Sequence, residues 1–81
     1  MIKIVFFASL REQLKVSETS INFTNEVNVH DIIGTLVASD ERYNVLLEND
    51  ILCAVNHTLC GKNESVEDNQ EIAFFPPVTG G

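Results

Sequence analysis

Tryptophan is absent from this chain, and proline, cysteine and cationic residues are scarce: two prolines, two cysteines and five Lys plus Arg in 81 residues. Two cysteines, Cys53 and Cys60, are too few for a disulfide scaffold, so small buried thiols are their expected state. Together with His57 they form C-x3-H-x2-C, which supplies only three ligands at a spacing unlike the usual structural zinc sites, and no metal is expected. Five cations against twelve acids leave a formal charge of −7, which repels phosphate backbones and anionic lipid. Nucleic acid and membrane are therefore excluded as expected partners, and a protein with a basic surface is favoured. No apolar run approaches the roughly 18 residues of a membrane span. The start Met1-Ile2-Lys3-Ile4 lacks the features of a signal peptide, so a cytoplasmic protein is expected.

The chemistry-bearing motifs are missing too. There is no Gly-rich phosphate loop, no H-E-x-x-H and no G-x-S-x-G; His30 and His57 fall at a helix start and a turn with no linked nucleophile, and read as solvated surface residues. No bound cofactor is expected. No internal repeat or low-complexity segment interrupts the chain, and 81 residues allow one domain with an adequate core.

Periodicity gives the elements. Ile2 to Phe7 reads as a first strand, and Ser9 with Glu12 has capping-box spacing for a short helix carrying Leu10 and Leu14. Ser20 to Phe23 alternates as a second strand. Val29, Ile32, Ile33, Leu36 and Val37 form one helical stripe behind Asn28 as N-cap, with Gly34 inside it expected to mark close approach to a sheet. The segment from Asp40 to Asp50 has anchors in Tyr43, Leu46 and Leu47 but no assignable structure. Ile51 to Val55 and Thr58 to Cys60 flank Asn56-His57, a two-residue turn that sets Val55 against Thr58, Ala54 against Leu59 and Cys53 against Cys60. Residues 61 to 69 read as a polar loop, and Glu71 to Phe75 as the last strand. These elements predict an α+β roll: a mixed sheet, one main helix packed on one face, and the terminal strands side by side at its centre.

One helix covers one face, so the other should alternate to polar. Lys3 marks the outward side of the first strand, which leaves Phe7 exposed; in the last strand Glu71, Ala73 and Phe75 face outward, which exposes Phe75. Leu59 extends the same patch. Scattered apolar surface residues are normal, but two phenylalanines converging where the chain leaves the sheet are what a partner would grip.

The chain leaves as Phe74-Phe75-Pro76-Pro77-Val78-Thr79-Gly80-Gly81. Two prolines end the strand and lead the chain away extended, dividing residues 1–75 as a domain from 76–81 as a flexible tail. Chain ends are ordinarily frayed and mean nothing; this one tapers to Gly80-Gly81, a thread without Cβ atoms that fits a slot closed to branched residues. The Gly81 carboxylate is then the candidate reactive group. With a pKa near ~3.5 it is ionised and a poor acyl donor, so a separate ATP-using enzyme must activate it, most simply by adenylation. Sulfide attack on the acyl-adenylate, or persulfide attack followed by thiol cleavage of the resulting acyl disulfide, would leave a thiocarboxylate.

M-I-K-I-V-F-F-A, A-V-N-H-T-L and E-I-A-F-F-P-P-V-T-G-G together resemble the small sulfur-carrier subunits of molybdopterin synthase, the MoaD-like family, across essentially all 81 residues. The Gly-Gly alone is shared by ubiquitin-like proteins generally; F-F-P-P-V-T-G-G after A-V-N-x-T is specific. The resemblance implies a ubiquitin-like β-grasp fold, and a Gly81 that is adenylated with ATP by a MoeB-like enzyme, thiocarboxylated from a sulfur donor and inserted into a large MoaE-like subunit in a heterotetrameric synthase. There it would serve dithiolene formation on cyclic pyranopterin monophosphate. Phe7, Leu59 and Phe75 match the family's contacts with the large subunit, and Pro76, Pro77, Val78 and Thr79 the segment that enters it. Cys53 and Cys60 are no part of the motif. The alternatives are a carrier for thiamine or tRNA thiolation, a ubiquitin-like tag joined to lysines, and a binding module with an inert tail.

Overall fold

The computed structural model describes residues 1–23, 25, 27–48 and 50–77. Among them the order is β1 (Ile2–Phe6), α1 (Ala8–Leu14), β2 (Glu18–Ile21), β3 (Val27–Asn28), α2 (Val29–Ser39), a 3₁₀ helix (Glu41–Leu47), β4 (Leu52–Val55), β5 (Thr58–Cys60), β6 (Ser65–Val66) and β7 (Glu71–Phe75). Five strands form one mixed sheet in the order β2-β1-β7-β4-β5, while β3 and β6 make a separate two-stranded ladder. The terminal strands lie parallel at its centre, Lys3 opposite Glu71 and Phe6 opposite Phe74, as the alternation predicts.

Strict alternation gives each central strand two faces. Ile2, Ile4 and Phe6 of β1 and Ile72 and Phe74 of β7 are buried beneath Val29, Ile32, Ile33 and Leu36 of α2. Burying each of these side chains contributes roughly 1.5–3 kcal/mol, and together they fix which face carries the helix. Asn28 caps α2 as expected: its side chain accepts from the Asp31 N–H at 2.9 Å while Asp31 accepts from the Asn28 N–H at 3.1 Å. The hairpin register is also as expected, with Asn56 and His57 both at positive φ, 47° and 70°.

Four expectations fail, each for a local reason. Ser9 does not cap α1; Phe7 occupies that position without a side-chain bond, and Ala8 enters at φ 53°, which puts Ser9 inside the helix. The second strand is Glu18–Ile21 rather than 20–23, because pairing of Ile2 with Ile21 and Val5 with Glu18 sets its bounds. The supposed loop 61–69 contains β6, whose Val66 is fully buried opposite Val27. Gly34 marks no close approach: a Cβ there would meet nothing within 4 Å. The unassigned segment from Asp40 is largely the 3₁₀ helix, capped by the Asp40 carboxylate on the Arg42 N–H and buried through Tyr43 and Leu46.

Candidate functional site

The face opposite α2 is built from the alternate residues of β1, β7, β4 and β5. Val5 lies beside Ala73, Ala73 beside Ala54, and Ala54 beside Leu59, which makes one apolar row across four strands. Small residues in the middle and larger ones at the ends make its profile shallow. A second row starts at Phe7, whose N–H donates to the Phe74 carbonyl at 3.1 Å, and runs through Phe75 to Leu52. Phe7 is 46% exposed and Leu59 64%.

Phe75 corrects the sequence reading. It faces outward but is half-buried, because Leu52 sits directly opposite it on β4. Leu52 was missed as a member of the patch, although the hairpin register that sets Ala54 outward gives Leu52 the same parity. Pro76 follows half-buried and Pro77 exposed, so the chain departs from the end of the sheet where Phe7, Phe75 and Leu52 gather. Val78, Thr79, Gly80 and Gly81, and with them the candidate reactive carboxylate, lie outside the described residues.

The far end of the same face is polar. The Lys3 ammonium lies 3.3 Å from Glu18 and 3.8 Å from Glu71, and His57 Nε2 is 3.8 Å from Glu71. Exposed pairs of this kind contribute about 0–1 kcal/mol each, so they add little to the stability of the fold. The face therefore has direction: charge at one end, apolar side chains at the end where the chain leaves.

His30 and His57 are exposed on the surface, and among the described residues no three His, Cys, Asp or Glu come together as a metal cluster. No helix of the described residues is long and apolar enough to cross a membrane. Cys53 and Cys60 lie on the helix side of the sheet, away from the apolar row, as free thiols.

The ThiS family model matches residues 4–81. The chain belongs to the ThiS family. Over the full length of both chains it is 38% identical to the molybdopterin synthase sulfur carrier subunit of Escherichia coli K12. Its structure is similar to that of SAMP1 from Haloferax volcanii, with a TM-score of 0.82 at 22% identity, covering 99% of this chain and 98% of that one. It is also similar to a chain in the complex of subunits 1 and 2 of molybdopterin-converting factor from Helicobacter pylori, with a TM-score of 0.67 at 21% identity, covering 99% and 97%. The fold of this ThiS-family chain is the ubiquitin-like β-grasp: a mixed sheet of five strands, the parallel terminal pair at its centre and one main helix across a single face.

Proposed function

We propose that this chain is the sulfur-carrying small subunit of a cytoplasmic molybdopterin synthase. The observation that carries the reading is the apolar end of the uncovered sheet face, where Phe7, Phe75 and Leu52 surround the point at which the chain leaves through Pro76 and Pro77. A partner that buries this end receives the tail in a fixed position. Likeness to the Escherichia coli carrier along the whole of both chains supports the pathway, and the Helicobacter pylori complex supports a second subunit as the partner.

In this reading the Gly81 carboxylate attacks the α-phosphorus of ATP on a separate MoeB-like adenylating enzyme, releasing pyrophosphate. Sulfide from a sulfur donor then attacks the acyl carbon; the C–O bond to AMP breaks, and a thiocarboxylate remains. This thiocarboxylate enters the large MoaE-like subunit and gives up its sulfur for dithiolene formation. Gly80 and Gly81 suit a narrow channel because neither has a Cβ. No resident cofactor is needed on this chain, since activation and acceptor chemistry belong to the partners.

Intact mass is the test. Incubation with the adenylating enzyme, ATP and a sulfide source should raise the mass by one oxygen-to-sulfur replacement, and the product should then convert precursor in the presence of the large subunit. An unchanged mass would favour an inert binding module. Lysine conjugates would favour a ubiquitin-like tag, and a thiocarboxylate inactive with the large subunit would favour thiamine or tRNA thiolation.

A further inference from the structure

Cys53 and Cys60 are directly opposed across the β4–β5 ladder, with Sγ atoms 4.0 Å apart and the Cys53 thiol donating to the Cys60 carbonyl at 3.4 Å. Opposed residues of antiparallel strands have Cα separations of about 4.5–5.5 Å, whichever of the two pair classes they occupy. Disulfides span Cα separations of about 4.4–6.8 Å. The opposed pair therefore falls within the separation that a disulfide spans, with the sulfurs already 4.0 Å apart.

The two thiols are not equally accessible. Cys53 is 2% exposed, whereas Cys60 is half-buried on the edge strand. Both line a cleft of about 490 Å³ between the hairpin and the helical layer, which His30, Leu47 and Lys62 also border. Lys62 is fixed there by donating to the carbonyls of Glu48 at 2.9 Å and Leu46 at 3.4 Å, which holds a cation close to the thiol pair.

We propose that Cys53 and Cys60 form a reversible redox-modification site whose reagent is a small anionic disulfide of the glutathione type, Cys60 being attacked onto first and Cys53 resolving the adduct. The Cys60 thiolate attacks one sulfur of the reagent; the reagent's S–S bond breaks and one glutathione leaves as thiolate. The Cys53 thiolate then attacks Cys60 Sγ and expels the second glutathione. Two protein thiols lose two electrons and two protons, and one oxidised glutathione becomes two reduced ones. The order follows from access and is reinforced by ionisation: burial, then the neighbouring Cys60, push the Cys53 thiol up to about 11, while Lys62 draws it down. The cross-link lies on the helix side of the sheet, so it leaves the apolar row unobstructed and stands independently of the carrier reading.

The full chain, folded, is equilibrated in glutathione buffers from reducing to oxidising, quenched in acid, then denatured and alkylated with N-ethylmaleimide before intact-mass measurement. The reduced protein should take two maleimides. The oxidised protein should take none, lack two hydrogens and remain monomeric. Cys53→Ala should stop at one attached glutathione, and Cys60→Ala should keep its buried thiol free of adduct. A wild-type protein that retains two alkylatable thiols in the most oxidising buffer, or stops at a stable single adduct, overturns the proposal. Should either variant fail to fold by circular dichroism, the wild-type masses decide alone.

Discussion

Phe6 and Phe74 stack side by side on the two parallel central strands, ring centroids 6.1 Å apart and planes at 17°, both essentially without solvent exposure. Their sequence neighbours Phe7 and Phe75 point the other way, into the uncovered face. One-residue alternation thus separates two pairs of identical side chains into a core pair and an outward pair.

The first prediction uses that separation. Phe74→Asp or Phe6→Asp puts an unpaired charge into the core at a cost of several kcal/mol, a large part of a small domain's stability of about 5–15 kcal/mol, and should abolish cooperative unfolding. Phe7→Asp should leave the fold intact and weaken large-subunit binding by at least tenfold. Phe75→Asp should do the same with an added loss of about 1 kcal/mol or more, because its contact with Leu52 is lost. Circular dichroism melts beside binding isotherms decide it; a folded Phe74→Asp with an unfolded Phe7→Asp would reverse the assignment of faces.

A second prediction concerns Gly34. Glycine within a helix costs about 1 kcal/mol relative to alanine, and the space beside Gly34 is open to at least 4 Å. Gly34→Ala should raise stability by up to ~1 kcal/mol in urea titration. Destabilisation would show that the backbone needs glycine there. Asn28→Ala, by contrast, removes half of a capping box and should cost about 1 kcal/mol.

The pattern of success in the sequence reading has physical causes. Lys3 opposite Glu71 and Cys53 opposite Cys60 were legible because β1, β7 and the hairpin alternate cleanly and Asn56-His57 closes a turn of defined length. Val66 was not, since a two-residue strand is too short to show a period and its partner Val27 is distant in sequence. The 3₁₀ helix buries only Tyr43 and Leu46, i and i+3, a spacing shared by many loops. Phe75 was placed on the correct face but given too much exposure, because its cover, Leu52, comes from another strand.

A third prediction follows from the amino end. The Met1 ammonium donates to the Asp68 carboxylate, which also accepts from the Asn69 N–H at 3.0 Å, and the first of these holds the Asp68 carboxyl below its ordinary 3.8. A pKa lowered in the folded state adds stability above 3.8 that is lost as pH falls through the folded value. Asp68→Asn should therefore melt at a lower temperature than the wild type at neutral pH, with the gap closing in acid. A gap independent of pH would show that the ion pair contributes nothing. Both partners are largely exposed, so the gap should also shrink with added salt.

The last prediction addresses the tail. The buried core among the described residues ends at Phe74, and Phe7, Leu52 and Phe75 form the apolar end of the uncovered face ahead of the tail. Changes at Gly81 should therefore shift stability by no more than about 0.5 kcal/mol and leave large-subunit affinity nearly unchanged. Sulfur transfer is different, because the acceptor must meet the terminal carbonyl at a fixed depth, and misplacement by about 1 Å costs on the order of 100-fold. Deleting Gly81, or adding one residue after it, should reduce product formation at least that much. Gly81→Ala keeps the length and adds one methyl, so its loss should be smaller. Product formation with purified large subunit and precursor, measured beside a binding isotherm, separates the two effects; full activity from the chain lengthened by one residue would overturn the carrier reading, whereas equal losses of activity and affinity would show that the tail docks rather than delivers.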